Sequence, residues 1–137
     1  MASILNPYLN FNGKTRQAME FYRDVFGGEL SIMTFGDTGT EGPDANGVMH
    51  SSLAAENGFA LMASDMPPGQ PFEAGNNFGV SLSGDDEGEL MGYWEKLSDG
   101  GSVTVPMEKQ MWGDAFGMCV DKYGTSWLVN IAGTPAT

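Results

Sequence analysis

Cysteine and histidine each occur once in these 137 residues, as Cys119 and His50. A lone thiol excludes an internal disulfide and any Cys-rich zinc site, and it fits a reducing, cytoplasmic setting. A lone histidine cannot supply the two imidazoles that many metal centres draw from one chain. Basic residues are scarce as well: six Lys and Arg stand against eighteen Asp and Glu, a formal net charge of −12. Such a chain repels nucleic-acid phosphates and anionic membranes, so neither is expected as a partner. The acidity serves solubility, or part of it attracts a cationic ligand. No apolar run approaches the roughly 18 residues that cross a bilayer. The start, MASILNPYLNF, lacks the basic and apolar regions of a secretory signal. Nucleophile-elbow, phosphate-loop and H-E-x-x-H motifs are also missing.

What is present is enough for one compact α+β domain. Ser3–Phe11 reads as a strand, with Leu5, Leu9 and Phe11 on one face and Asn6, Tyr8 and Asn10 on the other. Pro7 confines it to an edge or an early position. KTRQAMEFYRDVF carries Ala18, Phe21, Tyr22, Val25 and Phe26 at helical spacing, stopped by Gly27 and Gly28. Strands follow at Glu29–Phe35, Val48–Ala55 and Phe59–Ser64, with a Gly/Asp-rich loop over 36–47 and a hairpin at Glu56-Asn57-Gly58. The proline-rich stretch 66–76 links this first module, about residues 3–65, to a second over about 77–132. There the order returns: a strand at Asn77–Ser83, a helix at Asp85–Leu97, then strands at Ser102–Val105, Ala115–Val120 and Thr125–Ile131, with a loop over 106–114. The expectation is two tandem βαβββ modules forming a cup-shaped mixed sheet with outer helices. Leu9 and Phe11 pack under the first helix, and Trp127 and Val129 under the second.

The inward face then carries polar and aromatic groups suited to a ligand. His50, in a strand, is either a hydrogen-bonded structural histidine or a general base lining the cavity. A hairpin centred between Asn57 and Gly58 pairs residue 50 with residue 65, which sets Asp65 beside His50 as a catalytic pair. Trp112, Asp114 and Phe116 either cover the core edge and cap a turn or form the rim of the ligand cavity. Met62, Met111 and four other methionines fill the core or line an adaptable pocket. Cys119 reads as a packed thiol.

The runs PYLNFNGKTRQAMEFYRDVFGGEL, MHSSL, ALMASD and WGDAFGMCVDKYGTSWLVN, in that order, resemble PhnB-like proteins of the vicinal oxygen chelate superfamily. The resemblance covers nearly the whole chain. It implies paired βαβββ modules and a homodimer. Many PhnB-like proteins carry a demethylubiquinone methyltransferase label, yet nothing here resembles a methyl-donor site such as a Gly-rich loop in a Rossmann unit. Superfamily enzymes hold a divalent metal with His and Glu. Carried over position by position, those ligands fall at Asn6, Met62, Phe78 and Leu128, of which only Asn is an ordinary oxygen donor.

The resemblance therefore implies a small organic ligand bound in an inner cavity, without a catalytic metal or other cofactor. Asn6, Tyr8, Asn10, Met62, Ser64, Phe78, Trp112, Asp114 and Phe116 are the candidate contacts, with His50 and Asp65 as the reactive pair. One alternative is a sequestering binder of a cationic compound, similar to bleomycin-resistance proteins. Another is a metal-dependent lyase or dioxygenase with a non-standard site.

Overall fold

Alternation of apolar and polar residues in YLNF makes a short strand, β1 (Tyr8–Phe11), with Leu9 and Phe11 buried and Tyr8 and Asn10 exposed. The computed structural model describes residues 3, 5–67, 69–73, 75 and 77–133. The strand is shorter than the sequence pattern suggested. Sheet pairing begins at Pro7, whose carbonyl accepts the Met62 N–H at 3.1 Å. Leu5, expected to share a face with Leu9 and Phe11, is fully exposed ahead of the strand. Asn6 likewise precedes it.

Helix α1 (Thr15–Phe26) follows and buries Thr15, Ala18, Met19, Tyr22, Val25 and Phe26, an apolar stripe at three- and four-residue spacing. Gly27 and Gly28, at φ 74° and 102°, turn the chain out of the helix. Strands β2 (Glu29–Thr34), β3 (Val48–Ala54) and β4 (Ala60–Asp65) complete a four-stranded sheet in the order β1-β4-β3-β2. The β1–β4 pair is parallel and the others are antiparallel. A single 3₁₀ turn at Gly36–Thr38 interrupts the loop between β2 and β3.

The same order then repeats. Strand β5 (Val80–Gly84), helix α2 (Glu87–Ser98) and strands β6 (Ser102–Lys109), β7 (Ala115–Val120) and β8 (Ser126–Ile131) form a second sheet in the order β5-β8-β7-β6. Strand β6 runs well past the expected end at Val105, so the loop before β7 shrinks to 110–114. Pro106 is tolerated because β6 is an edge strand whose pairing with β7 shifts register on both sides of Val105. The fold class is thus α+β, two helices and eight strands in two mixed four-stranded sheets. The chain divides into two compact units, 1–74 and 75–137.

Two local devices recur in both units. The hairpin of the last two strands of each unit has a three-residue loop. Gly58 N–H donates to the Ala55 carbonyl at 3.1 Å and Gly124 N–H to the Asp121 carbonyl at 2.9 Å. Both glycines hold positive φ, 89° and 93°. Each helix also ends in a glycine pair whose second member touches hairpin backbone. A Cβ on Gly28 would lie 2.1 Å from the Ala54 oxygen, and one on Gly101 2.2 Å from the Val120 oxygen. In the first unit Leu9, Phe11, Leu53, Leu61 and Ala63 are buried with the α1 stripe; in the second, Leu82, Cys119, Trp127, Val129 and Ile131 are buried with Leu90, Trp94 and Leu97 of α2.

Replacing Gly28 or Gly101 by Ala is expected to cost about 2 kcal/mol or more, since the methyl overlaps a carbonyl that cannot move alone. Gly92→Ala has the opposite sign. It lies inside α2 with open space around its Cα, so the substitution should gain about 0.5–1 kcal/mol. Urea denaturation midpoints of the three variants check both statements.

Candidate functional site

Strand alternation and register decide which side chains share a face. In the first unit Tyr8, Asn10, His50, Ser52, Met62 and Ser64 all fall on the face turned away from α1. Ser31 and Met33 of β2 join them, opposite Ser52 and His50. The sequence reading missed these two, although the alternation of ELSIMT held the signal once β2 was placed beside β3. Among the residues on this face, the Tyr8 hydroxyl lies 3.3 Å from His50 Nδ1. Their rings stack at 5.9 Å between centroids, tilted 29°. One strand end further on, Asn10 Nδ2 donates to Ser64 Oγ at 3.3 Å. Five of the predicted site residues therefore form two adjoining hydrogen-bonded pairs plus the half-buried Met62 thioether between them.

Asp65 does not join His50, and the expected pair is corrected here. The three-residue loop centres the hairpin on Asn57, so Ser51 faces Ala63 and Leu53 faces Leu61. His50 therefore shares its face with Ser64, while Asp65 points to the α1 side. A register change of one residue inverts every side chain. Asp65 is instead a buried clamp. Its Oδ1 accepts from Gly13 N–H at 3.0 Å, Thr15 N–H at 3.2 Å and the Thr15 hydroxyl at 2.7 Å. Its Oδ2 accepts from Val48 N–H at 2.9 Å. Helix α1 has no side-chain cap of its own at Lys14, so a carboxylate from β4 satisfies its first turn.

The second unit holds the remaining candidates. Phe116 lies on the sheet face away from α2, opposite Asn130 on β8. Asp114 is a structural acceptor: Oδ2 takes the Asn130 amide at 3.0 Å and Oδ1 the Gly133 N–H at 2.9 Å. Those two bonds, Asn130 first, hold its carboxyl below the usual carboxylate range. Trp112 is largely exposed at the β6–β7 turn, and Met111 beside it is fully exposed rather than core-filling. Phe78 is exposed ahead of β5. Burial, then the charge of Asp121, pushes the Cys119 thiol up to about 11; a thiol so rarely ionised at neutral pH is a poor nucleophile.

The metal that the fold family implies does not fit this chain. Its four positions offer an amide, a thioether, a phenyl ring and an isobutyl group, at Asn6, Met62, Phe78 and Leu128. The last two have no lone pair to give. Among the described residues no three His, Cys, Asp or Glu side chains gather at metal-holding distance. No described helix is long and apolar enough to cross a membrane.

Two outcomes test these assignments. Asp65→Ala strands several backbone donors and should cost about 3 kcal/mol or more in urea denaturation. Asn130→Ala should raise the Asp114 carboxyl toward its ordinary value in an NMR titration. A carboxyl whose folded pKa is depressed stabilises the fold above its unfolded pKa and loses that contribution as pH falls through the folded one. The destabilisation by Asn130→Ala should therefore be larger at neutral pH than in acid.

Three solved structures are similar to this chain over nearly its whole length. PA1353 from Pseudomonas aeruginosa is 36% identical, with 96% of this chain and 98% of that one covered and a TM-score of 0.86. The PhnB protein from Bacillus cereus is 26% identical, with 95% and 100% covered and a TM-score of 0.77. A glyoxylase/bleomycin resistance protein/dioxygenase domain from Frankia sp. EAN1pec shares the fold alone, at 11% identity, 96% and 98% coverage and a TM-score of 0.62. The family model described as 3-demethylubiquinone-9 3-methyltransferase matches residues 3–130. With that match spanning nearly all of both βαβββ units, the chain belongs to this PhnB-like family and carries the glyoxalase/bleomycin resistance fold.

Proposed function

We propose that the chain binds a small organic molecule on the α1-free face of its first sheet, with Tyr8 and His50 as the recognition pair and without a metal at the superfamily positions. The observation that carries this reading is the 3.3 Å contact between the Tyr8 hydroxyl and His50 Nδ1. A phenol that donates to Nδ1 fixes the imidazole proton on Nε2 and leaves that N–H as a directed donor. Asn10 and Ser64 add an amide carbonyl and a hydroxyl within the same patch. Met62 and Met33 give it adaptable apolar contact. Such a mixture of a few fixed polar groups on an apolar ground suits a neutral or weakly polar ligand.

The family's description names a methyl transfer. In this chain the parallel pairs are β1–β4 and β5–β8. Neither opens into the glycine-rich, phosphate-binding turn of a Rossmann unit.

A thermal-shift screen of small organic compounds on the full chain tests it. A ligand of the folded state raises stability by RT ln(1 + [L]/Kd), about 2.7 kcal/mol at 100 times Kd. For any hit, Tyr8→Phe and His50→Gln should each weaken binding about tenfold, the worth of one good hydrogen bond. Chelator should leave both the melting curve and the hit's affinity unchanged. Hits that bind both variants as tightly as the parent, or that need a chelatable metal, would defeat the proposal.

A further inference from the structure

The first unit contains a cleft of about 530 Å³ that none of the Tyr8, Asn10 or His50 side chains lines. It lies where β1 and β4 end and β3 begins. Its walls come from the first turn of α1, the loop between β2 and β3, and the segment after β4. Volumes of a few hundred to a thousand Å³ are typical of small-molecule sites.

Two wall residues carry charge without a hydrogen-bonded partner among the described residues. Arg16 on α1 and Asp44 on the β2–β3 loop are both exposed. Among the described residues neither side chain makes a hydrogen bond or an ion pair, with each other or elsewhere. Asp37 lies within the field of Arg16 while its carboxylate is hydrogen-bonded to Thr34. Its carboxyl is lowered chiefly by the Thr34 backbone and then the Thr34 side chain, with the charge of Arg16 the last contribution. Asp65, also in the cleft wall, has both oxygens occupied by four donors, and the first N–H of α1 is spent on it. The cleft thus presents one free guanidinium and one free carboxylate on separate segments. Phe35 and Met66 supply apolar surface between polar amides.

Charge decides the ligand class. A simple anion would meet the field of a chain with net charge −12 and Asp44 in the same cleft wall. A simple cation would meet Arg16. A molecule with both charges and no net charge avoids both penalties and can use both groups. We propose that this cleft binds a small zwitterion of the amino-acid class, its carboxylate on the Arg16 fork, its ammonium on Asp44 and an apolar side chain against Phe35 and Met66. A planar guanidinium takes a carboxylate through two parallel hydrogen bonds, which fixes the ligand's direction.

The experiment titrates ¹⁵N-labelled full-length protein with L-phenylalanine, then with phenylpropanoate, which lacks the ammonium, and phenethylamine, which lacks the carboxylate. Expected are shifts of the Gly13, Gly47 and Gly69 amides with L-phenylalanine, at a Kd of order 1 mM or tighter, and binding about tenfold weaker for each analogue. Arg16→Ala should weaken L-phenylalanine and leave phenethylamine unchanged; Asp44→Ala should weaken L-phenylalanine and leave phenylpropanoate unchanged. Both side chains are exposed, and the melting temperature of each variant confirms its fold. Tyr8→Phe should leave the cleft titration intact, which separates this site from the α1-free face. No shifts at saturating L-phenylalanine, shifts at Ser52 and Ser64 instead, or equal binding of all three probes would each overturn the proposal.

Discussion

A single carboxylate holds the first unit in register. Asp65 stands at the end of β4, yet its hydrogen bonds reach the β1–α1 connection, the first residue of α1 and the first residue of β3. Gly13 and Thr15 lie around the start of α1 and Val48 at the start of β3, positions where helical carbonyls and ladder partners run out. Burying a carboxylate is costly unless donors surround it, and four donors do so here. The clamp fixes where β1 stops, where α1 starts and how β3 enters the sheet. The positions of Asn10, Ser64 and His50 follow from those three constraints.

The second unit solves the same problem by other means. The parallel pairing that sets Phe11 beside Asp65 in one sheet sets Gly84 beside Ile131 in the other. An apolar residue there can cap nothing, and α2 does not need it. Asp86 caps the helix locally, accepting the Glu89 N–H at 3.0 Å. The buried carboxylate of this unit is Asp121, which accepts from Tyr123 and Thr125 N–H groups and from the Trp127 indole at 2.8 Å. So the shared topology does not rest on a shared polar network. What the two units keep in common is the glycine geometry at helix exits and hairpins, which sterics demand of any sequence making those turns.

This contrast explains which features could be read from the sequence. Element order, both helices and the residues under them were legible because each depends on local periodicity. The shared face of Tyr8 and Asn10 was legible because alternation alone sorts the faces of one strand, but joining His50 to Met62 and Ser64 needed the hairpin register, which the sequence pattern set one residue off. Strand ends were less so: Pro7 delays β1, and β6 absorbs Pro106 because its pairing there is irregular. The role of Asp65 was hidden for two reasons. Its helix-cap partner Thr15 is 50 residues away, and no local motif announces a cap that arrives from another strand. Its apparent closeness to His50 also came from centring the hairpin between Asn57 and Gly58. The Gly58 N–H bond to the Ala55 carbonyl makes the loop three residues long, and that one extra residue moves Asp65 to the opposite face.

The neighbours Ser64 and Asp65 show how much this inversion matters for function. Successive residues of β4 serve opposite sides of one sheet. Ser64 accepts from Asn10 within the polar patch, and Asp65 anchors the wall of the charged cleft. The two candidate sites therefore share a backbone support but no side chain. Their chemistry differs accordingly. The patch offers phenol, imidazole, amide and hydroxyl, groups that recognise shape and hydrogen bonding. The cleft offers the full charges of Arg16 and Asp44 beside a carboxylate, Asp65, whose oxygens already accept four hydrogen bonds. In a chain this acidic, the ligand proposed for the first is one that lacks strong charge and the ligand proposed for the second is one that balances it.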